Sequence, residues 1–210
     1  LLFVTGTRAD FGKIKSLINI SRNSTNFNVN IFVTGMHVHE KYGNTVIEIE
    51  KSGFNNIYQF RNFEGEESMD VILANTIYGL STYIKENDID LIITHGDRVE
   101  SLSSAIVGSL NNIFVAHIEG GEVSGTIDEL IRHSVSKLSH FHLVSHSQAQ
   151  TRLMQMGERE ETIFVIGSPD VDIMFSDELE SIDFVKNHYD ISFQDFAILM
   201  FHPVTTEVSE

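Results

Sequence analysis

Apolar and polar positions alternate in blocks along this chain. Short runs rich in Val, Ile, Leu and Phe recur at residues 1–5, 29–34, 55–60, 90–94, 113–118, 141–145 and 162–166. Each is short and almost wholly apolar, the pattern of a strand buried on both faces. Between them, residues 8–23, 40–52, 68–86, 98–110, 127–139 and 147–156 carry helical spacing. In 68–86, Met69, Ile72, Leu73, Ile77, Leu80, Tyr83 and Ile84 form one stripe. Strand and helix in strict alternation predict an α/β fold, a doubly wound parallel Rossmann-like sheet with helices on both faces.

In such sheets ligands bind beyond the carboxyl ends of the strands. The strand ends here are "GTRADFGK", "GMHVHEKYGNT", "HGDRVE", "EGGEVSG" and "GSPD", so glycines and ionisable residues gather where that rule places a site. From residue 170 the texture changes to an acidic, helical stretch, then an apolar run at 195–201 that ends in "HPVTTE". The expected organisation is a Rossmann-like domain over 1–169, with linker helices and the first strand of a second, incomplete sheet over 170–210.

Composition narrows the function. A net charge of −16 argues against non-specific nucleic-acid binding, which runs on basic surface. An anionic ligand would need a local basic island, and only 14 Lys and Arg are available to build one. With no cysteine, disulfide and thiolate chemistry are excluded. No apolar run reaches the length of a membrane span, and "LLFVTG" reads as a strand and not a signal peptide, so a cytoplasmic protein with no membrane partner is expected.

The strand-end loops carry the candidate chemistry. Arg8 and Lys13 flank a strand-to-helix turn whose backbone N–H groups suit a phosphate, although a glycine turn with two solvated cations would read the same way. His95, Asp97 and Arg98 close a very apolar strand. Asp97 there could be a base, an orienter or simply a helix N-cap. A metal phosphoesterase would need further ligands on neighbouring strand ends, which "GTRAD" does not supply, so no metal is expected. In "HIEGGEVSG", Glu119 and Glu122 sit among three glycines. The helix dipole that follows accounts for Glu129 but not for Glu119. His202 heads the expected second sheet and would face a cleft between domains.

Taken together, "GTRADFGK", "HGDR", "HIEGGEVSGTIDELIRH", "GSPD" and "HPVTTE" resemble the hydrolysing UDP-N-acetylglucosamine 2-epimerases of sialic acid biosynthesis. The resemblance implies the N-terminal half of a GT-B two-domain fold, with the nucleotide sugar between the halves and the chain truncated relative to the family. It also implies the reaction. UDP leaves C1 as the C2 proton is removed, giving a 2-acetamidoglucal; water then adds to release N-acetylmannosamine. Asp97, Glu119, Asp128 and His202 match the positions the family uses for acid–base chemistry. Arg8, His37 and Arg98 match substrate or nucleotide contacts; Lys13, at a turn whose residues vary, is expected to join them, and Glu122 is open between loop structure and a sugar contact. Which carboxylate takes the C2 proton stays open. No cofactor is implied, the partner is a UDP-sugar, and a homodimer or homotetramer is expected.

Three other readings are set against this one. The same chemistry could act on UDP- or GDP-linked N,N'-diacetylbacillosamine, on the way to legionaminic acid. A non-catalytic nucleotide-sugar-binding module would gain nothing from several carboxylates beside a diphosphate. A GT-B glycosyltransferase would transfer the sugar to an acceptor, and "HIEGGEVSG" makes that less favoured.

Overall fold

The computed structural model describes residues 1–175 and 179–200. The apolar runs form strands at Leu2–Thr5 (β1), Asn30–Val33 (β2), Ile57–Gln59 (β3), Leu91–His95 (β4), Phe114–Ile118 (β5), Phe141–Val144 (β6) and Ile163–Val165 (β7). The helices are Arg8–Arg22 (α1), Val46–Lys51 (α2), Met69–Glu86 (α3), Val99–Leu110 (α4), Ile127–Lys137 (α5), Ser147–Gln155 (α6), Pro169–Met174 (α7) and Ile182–His188 (α8). All strand pairs are parallel, in the order β3-β2-β1-β4-β5-β6-β7.

Alternation within each strand fills two cores. On β1, Phe3 joins Phe11, Ile14 and Ile18 of α1 and Ile49 of α2 on one face. Its neighbours Leu2 and Val4 join Leu80 and Tyr83 of α3 and Val107 of α4 on the other. Helices therefore cover both faces, and the central strands bury side chains in two directions, which is why those runs are continuous and not alternating. Chain direction across the sheet reverses between β1 and β4, which pair through Leu2↔Ile92 and Phe3↔Ile93. That switch point opens a crevice beyond the strand tips.

Three expectations are corrected. Residues 40–52 do not form one helix: left-handed backbone at Gly43 (φ 86°) and Asn44 (φ 48°) leaves only a short turn at Glu40–Tyr42 before α2. The stripe on α3 loses one member: Ile72, Leu73, Ile77, Leu80, Tyr83 and Ile84 pack into the cores as expected, and Met69 does not. Thr76 and Gly79 are buried, while Met69 at its start is 37% exposed. Gly79 is required there, since a Cβ would lie 2.4 Å from the Phe60 ring. Third, residues 195–200 form no strand, and Ile198, Leu199 and Met200 are exposed. A strand is stabilised by pairing, and among the described residues none pairs with this run.

Candidate active site

The site is built outward from α1. Thr7 caps the helix: its hydroxyl accepts from the Asp10 N–H at 3.2 Å and donates to Asp10 Oδ2 at 2.9 Å. This reciprocal cap turns Asp10 inward, where it is buried. One turn on, Lys13 projects from the same face of the helix.

Across the switch point stands His95, the last residue of β4. Its Nδ1 is 3.3 Å from Asp10 Oδ1 and its Nε2 is 2.8 Å from Glu119 Oε2. The Ser101 hydroxyl holds the His95 carbonyl at 2.5 Å. Glu119 follows β5 in a left-handed backbone (φ 60°), a conformation a β-carbon disfavours. The site over-determines it. The Glu119 N–H donates to the Leu143 carbonyl at 2.8 Å. Its carboxylate takes Lys13 Nζ at 2.6 Å on Oε2 and the Ser168 hydroxyl at 2.9 Å on Oε1. Lys13 also lies 3.3 Å from Asp170 on α7.

These contacts fix the charge states. Burial alone would raise the Glu119 carboxyl, but hydrogen bonds and charge from His95 and Lys13 outweigh it and hold Glu119 well below the usual carboxylate range. Asp10 is lowered in the same way: burial opposes, and His95 and Thr7 prevail. For His95, burial disfavours the charge, yet the two carboxylates on its nitrogens raise it to about 9. Lys13 is raised by Glu119 and Asp170 against its own burial. At neutral pH the row reads carboxylate, imidazolium, carboxylate, ammonium.

A cavity of about 260 Å³ opens beside the β4 tip, lined among others by Lys41, Tyr42, Phe63, Asp97, Arg98 and Asp128. Asp97 is ion-paired with Arg132 of α5. Arg98 Nε lies 3.3 Å from the buried Glu100, whose side chain covers Gly6 and Gly35. Asp128 accepts from the Thr126 hydroxyl at 3.1 Å. A second cavity, of about 220 Å³, is lined by Lys13, Leu17, Ile118, Leu143 and Ser168, which surround the Glu119 side of the row.

The residues expected from sequence thus separate. Lys13 and Glu119 meet directly. Asp97, Arg98 and Asp128 share the larger cavity. Arg8 turns away: its side chain is 67% exposed and pairs with Glu48 at 2.7 Å. His37, expected at the substrate, is wholly buried, its ring nitrogens 3.0 Å from the Thr5 hydroxyl and 2.7 Å from that of Thr45. With both nitrogens taken and burial lowering it to about 4, His37 serves the packing of β1 against the following turn and has no nitrogen to offer a ligand. Glu122 pairs with His146 at 3.1 Å, and its carbonyl accepts from Arg132 at 3.0 Å. His202 lies outside the described residues. Sequence reasoning passed over Asp10, Ser168 and the role of His95. Asp10 and Lys13 at spacing i, i+3 on a capped helix, opposite a strand ending in His, was the available signal.

Comparison with known proteins speaks to family and fold. The family model described as UDP-N-acetylglucosamine 2-epimerase matches residues 19–210. A UDP-N-acetylglucosamine 2-epimerase of Neisseria meningitidis is 48% identical over 207 residues, covering 99% of this chain and 55% of that protein. A UDP-N,N'-diacetylbacillosamine 2-epimerase (hydrolyzing) of Legionella pneumophila is 36% identical over 213 residues, covering 99% of this chain and 56% of that protein. The chain spans about half the length of the curated relatives it matches. Among solved structures, a UDP-GlcNAc 2-epimerase from Neisseria meningitidis bound to UDP-GlcNAc superposes with a TM-score of 0.75 at 18% identity, over 91% of this chain and 52% of that one. At that identity the likeness speaks for the fold, one Rossmann-like half of the GT-B architecture. By its match over most of its length and by these relatives, the chain belongs to the UDP-N-acetylglucosamine 2-epimerase family.

Proposed function

We propose that this chain is the N-terminal half of a hydrolysing 2-epimerase that converts UDP-N-acetylglucosamine to N-acetylmannosamine and UDP. The observation that carries the reading is the Glu119 carboxylate, bound by Lys13 and His95 at the switch point of the sheet.

The chemistry suits such a group. As the C1–O bond breaks, its electron pair leaves with the UDP oxygen and positive charge develops at C1. The C2 proton then becomes acidic enough for a carboxylate to take, and the C–H pair forms the double bond of a 2-acetamidoglucal. Water next gives hydroxide to C1, and a proton returns to C2 on the opposite face. Cations beside the leaving diphosphate stabilise the charge that it gains. Lys13 is the cation next to Glu119, and Arg98 lines the larger cavity with Asp97 and Asp128. A diphosphate competing for Lys13 would strip Glu119 of one of its two cationic partners and make the carboxylate a stronger base.

The relative from Legionella, named for UDP-N,N'-diacetylbacillosamine, and one from Campylobacter jejuni, named for the GDP- or UDP-linked sugar, favour an alternative donor with the same two steps. The test is to offer the full-length protein both sugars as nucleotide donors and identify the product by NMR and mass. Free N-acetylmannosamine with stoichiometric UDP supports the primary reading. A 2,4-diacetamido sugar selects the alternative. Binding of UDP-sugar without release of UDP would leave a non-catalytic module.

A further inference from the structure

Four histidines are buried among the described residues. His142 faces a single carboxylate, Glu158, 3.3 Å from its Nε2, and the other three are partnered in two different ways. The His37 nitrogens face threonine hydroxyls. His117 faces the Gly96 carbonyl at 2.7 Å and the Ser136 hydroxyl at 3.0 Å. Such neutral partners are what a packing histidine needs. His95 instead has a carboxylate on each nitrogen, Asp10 on Nδ1 and Glu119 on Nε2. Burying two ionised carboxylates is costly unless a cation stands between them. A histidine that merely filled space would not require that arrangement.

Resting on the epimerase reading, we propose that His95, oriented by Asp10, is a positioning residue that aims Glu119 and exchanges a proton with it. Three elements converge to make the row. Asp10 comes from α1 and is locked by the Thr7 cap; His95 comes from the β4 tip, with its carbonyl held by Ser101; Glu119 follows β5. With Asp10 on Nδ1, the proton there is retained, and Nε2 becomes the mobile position, the logic by which a carboxylate fixes a catalytic imidazole. Transfer along the 2.8 Å Nε2–Oε2 contact breaks an N–H bond and forms an O–H bond. The electron pair stays on nitrogen, leaving neutral imidazole and a Glu119 carboxylic acid that can donate to the reacting centre. The reverse transfer restores the ion pair. No other reactant is needed.

The charged and titratable groups around His95 come from every neighbouring element. They are Asp10 and Lys13 on α1, Arg98 before α4, His117 on β5, Glu119 after β5, and Asp170 on α7 through Lys13.

The deciding variant is Asp10→Asn in the full-length protein. Its amide can still accept from Nδ1 and still face the Thr7 hydroxyl, so the shape is kept and only the charge is lost. The expected result is a kcat lower by about tenfold or more, with KM within about threefold. Because Asp10 supports the imidazolium, the alkaline limb of the kcat profile should move about one pH unit lower. Histidine-selective NMR titration should place His95 lower by the same amount. A second variant, His95→Gln, keeps an N–H toward Glu119 but cannot titrate, and should remove that limb. An unmoved His95 titration in Asp10→Asn overturns the proposal, even if kcat falls, since a purely structural role would lower activity without shifting it. Absence of sugar release by the wild-type protein would sink the epimerase reading alone, because the NMR titration is read without turnover.

Discussion

Lys13 Nζ lies 2.6 Å from Glu119 Oε2, although 106 positions separate the two residues in sequence. The contact joins the only strand-end cation of residues 6–13 that faces the site to the carboxylate that the site holds most firmly. Arg8, five residues earlier, is committed to Glu48 on the surface. The two cations should therefore behave differently toward a nucleotide. Lys13→Met should weaken UDP binding by about tenfold, the size of one lost charge-assisted contact. Arg8→Met should leave it within about threefold. Calorimetric titration of UDP into both variants checks this, and equal losses would mean that Arg8 swings from Glu48 to the ligand.

Glu119→Gln keeps the side-chain shape and removes the charge. If Glu119 exchanges protons with the sugar, release of free 2-acetamido sugar should fall by about 10²–10⁴-fold. UDP affinity should change little, since Lys13 is then freed for the diphosphate. A fall of less than about tenfold in product release, measured by NMR, would remove Glu119 from the chemistry and shift attention to Asp97 and Asp128 in the larger cavity.

The histidines make stability depend on pH in opposing directions. In the unfolded chain each takes up a proton near its ordinary value of 6.5, whereas folded His37 and His117 are lowered by burial to about 4 and about 3. Below pH 6.5 the unfolded state thus binds more protons. Their contribution is complete above pH 6.5 and is lost as pH falls toward 4 and 3. His95, raised to about 9, has the opposite sign: its contribution is complete below 6.5 and is lost as pH rises through 9. Each unmatched proton is worth about 1.4 kcal/mol per pH unit. Urea denaturation at intervals from pH 5 to 9.5 should show losses at both ends. His117→Gln should flatten the acid side by about one proton while leaving the alkaline side in place. An acid slope unchanged by that variant would show that His117 already titrates normally in the folded protein.

The sheet was legible because its central strands bury both faces, so a short apolar run there has one reading. The location of the site followed from strand direction alone. What the chain did not disclose was pairing. Arg8 and Lys13 look equivalent in "GTRADFGK", and only the fold shows one bound to Glu48 across 40 positions and the other to Glu119 across 106. His37 sits at a strand end among glycine and polar residues, which resembles a ligand contact, yet Thr5 and Thr45 enclose it. His95 and Asp10 are 85 positions apart, and neither is unusual by itself. The run at 195–200 had the composition of a strand but, among the described residues, lacks a neighbour to pair with.

The glycines after Glu119 separate two effects that substitutions usually confound. Gly121 and Gly125 both have left-handed backbone, with φ of 78° and 69°. A β-carbon at either would cost about 1–2 kcal/mol from that conformation alone. At Gly125 nothing lies within 4 Å of the added atom. At Gly121 it would stand 2.6 Å from the Ala149 carbonyl oxygen and 3.1 Å from Leu153 Cγ, both on α6. That helix is also tied to the loop by the Arg152 guanidinium, which donates to the Gly121 carbonyl. The backbone of α6 cannot yield as a flexible side chain can, so alanine at 121 must push the loop off the helix. Gly121→Ala should therefore be less stable than Gly125→Ala by about 1–3 kcal/mol, the usual cost of overpacking. Displacement of the loop that carries Glu119 should also make Gly121→Ala the slower of the two in sugar release. Paired urea denaturation curves decide the point: equal stability would mean that α6 does not press on the loop, and that only backbone conformation selects glycine there.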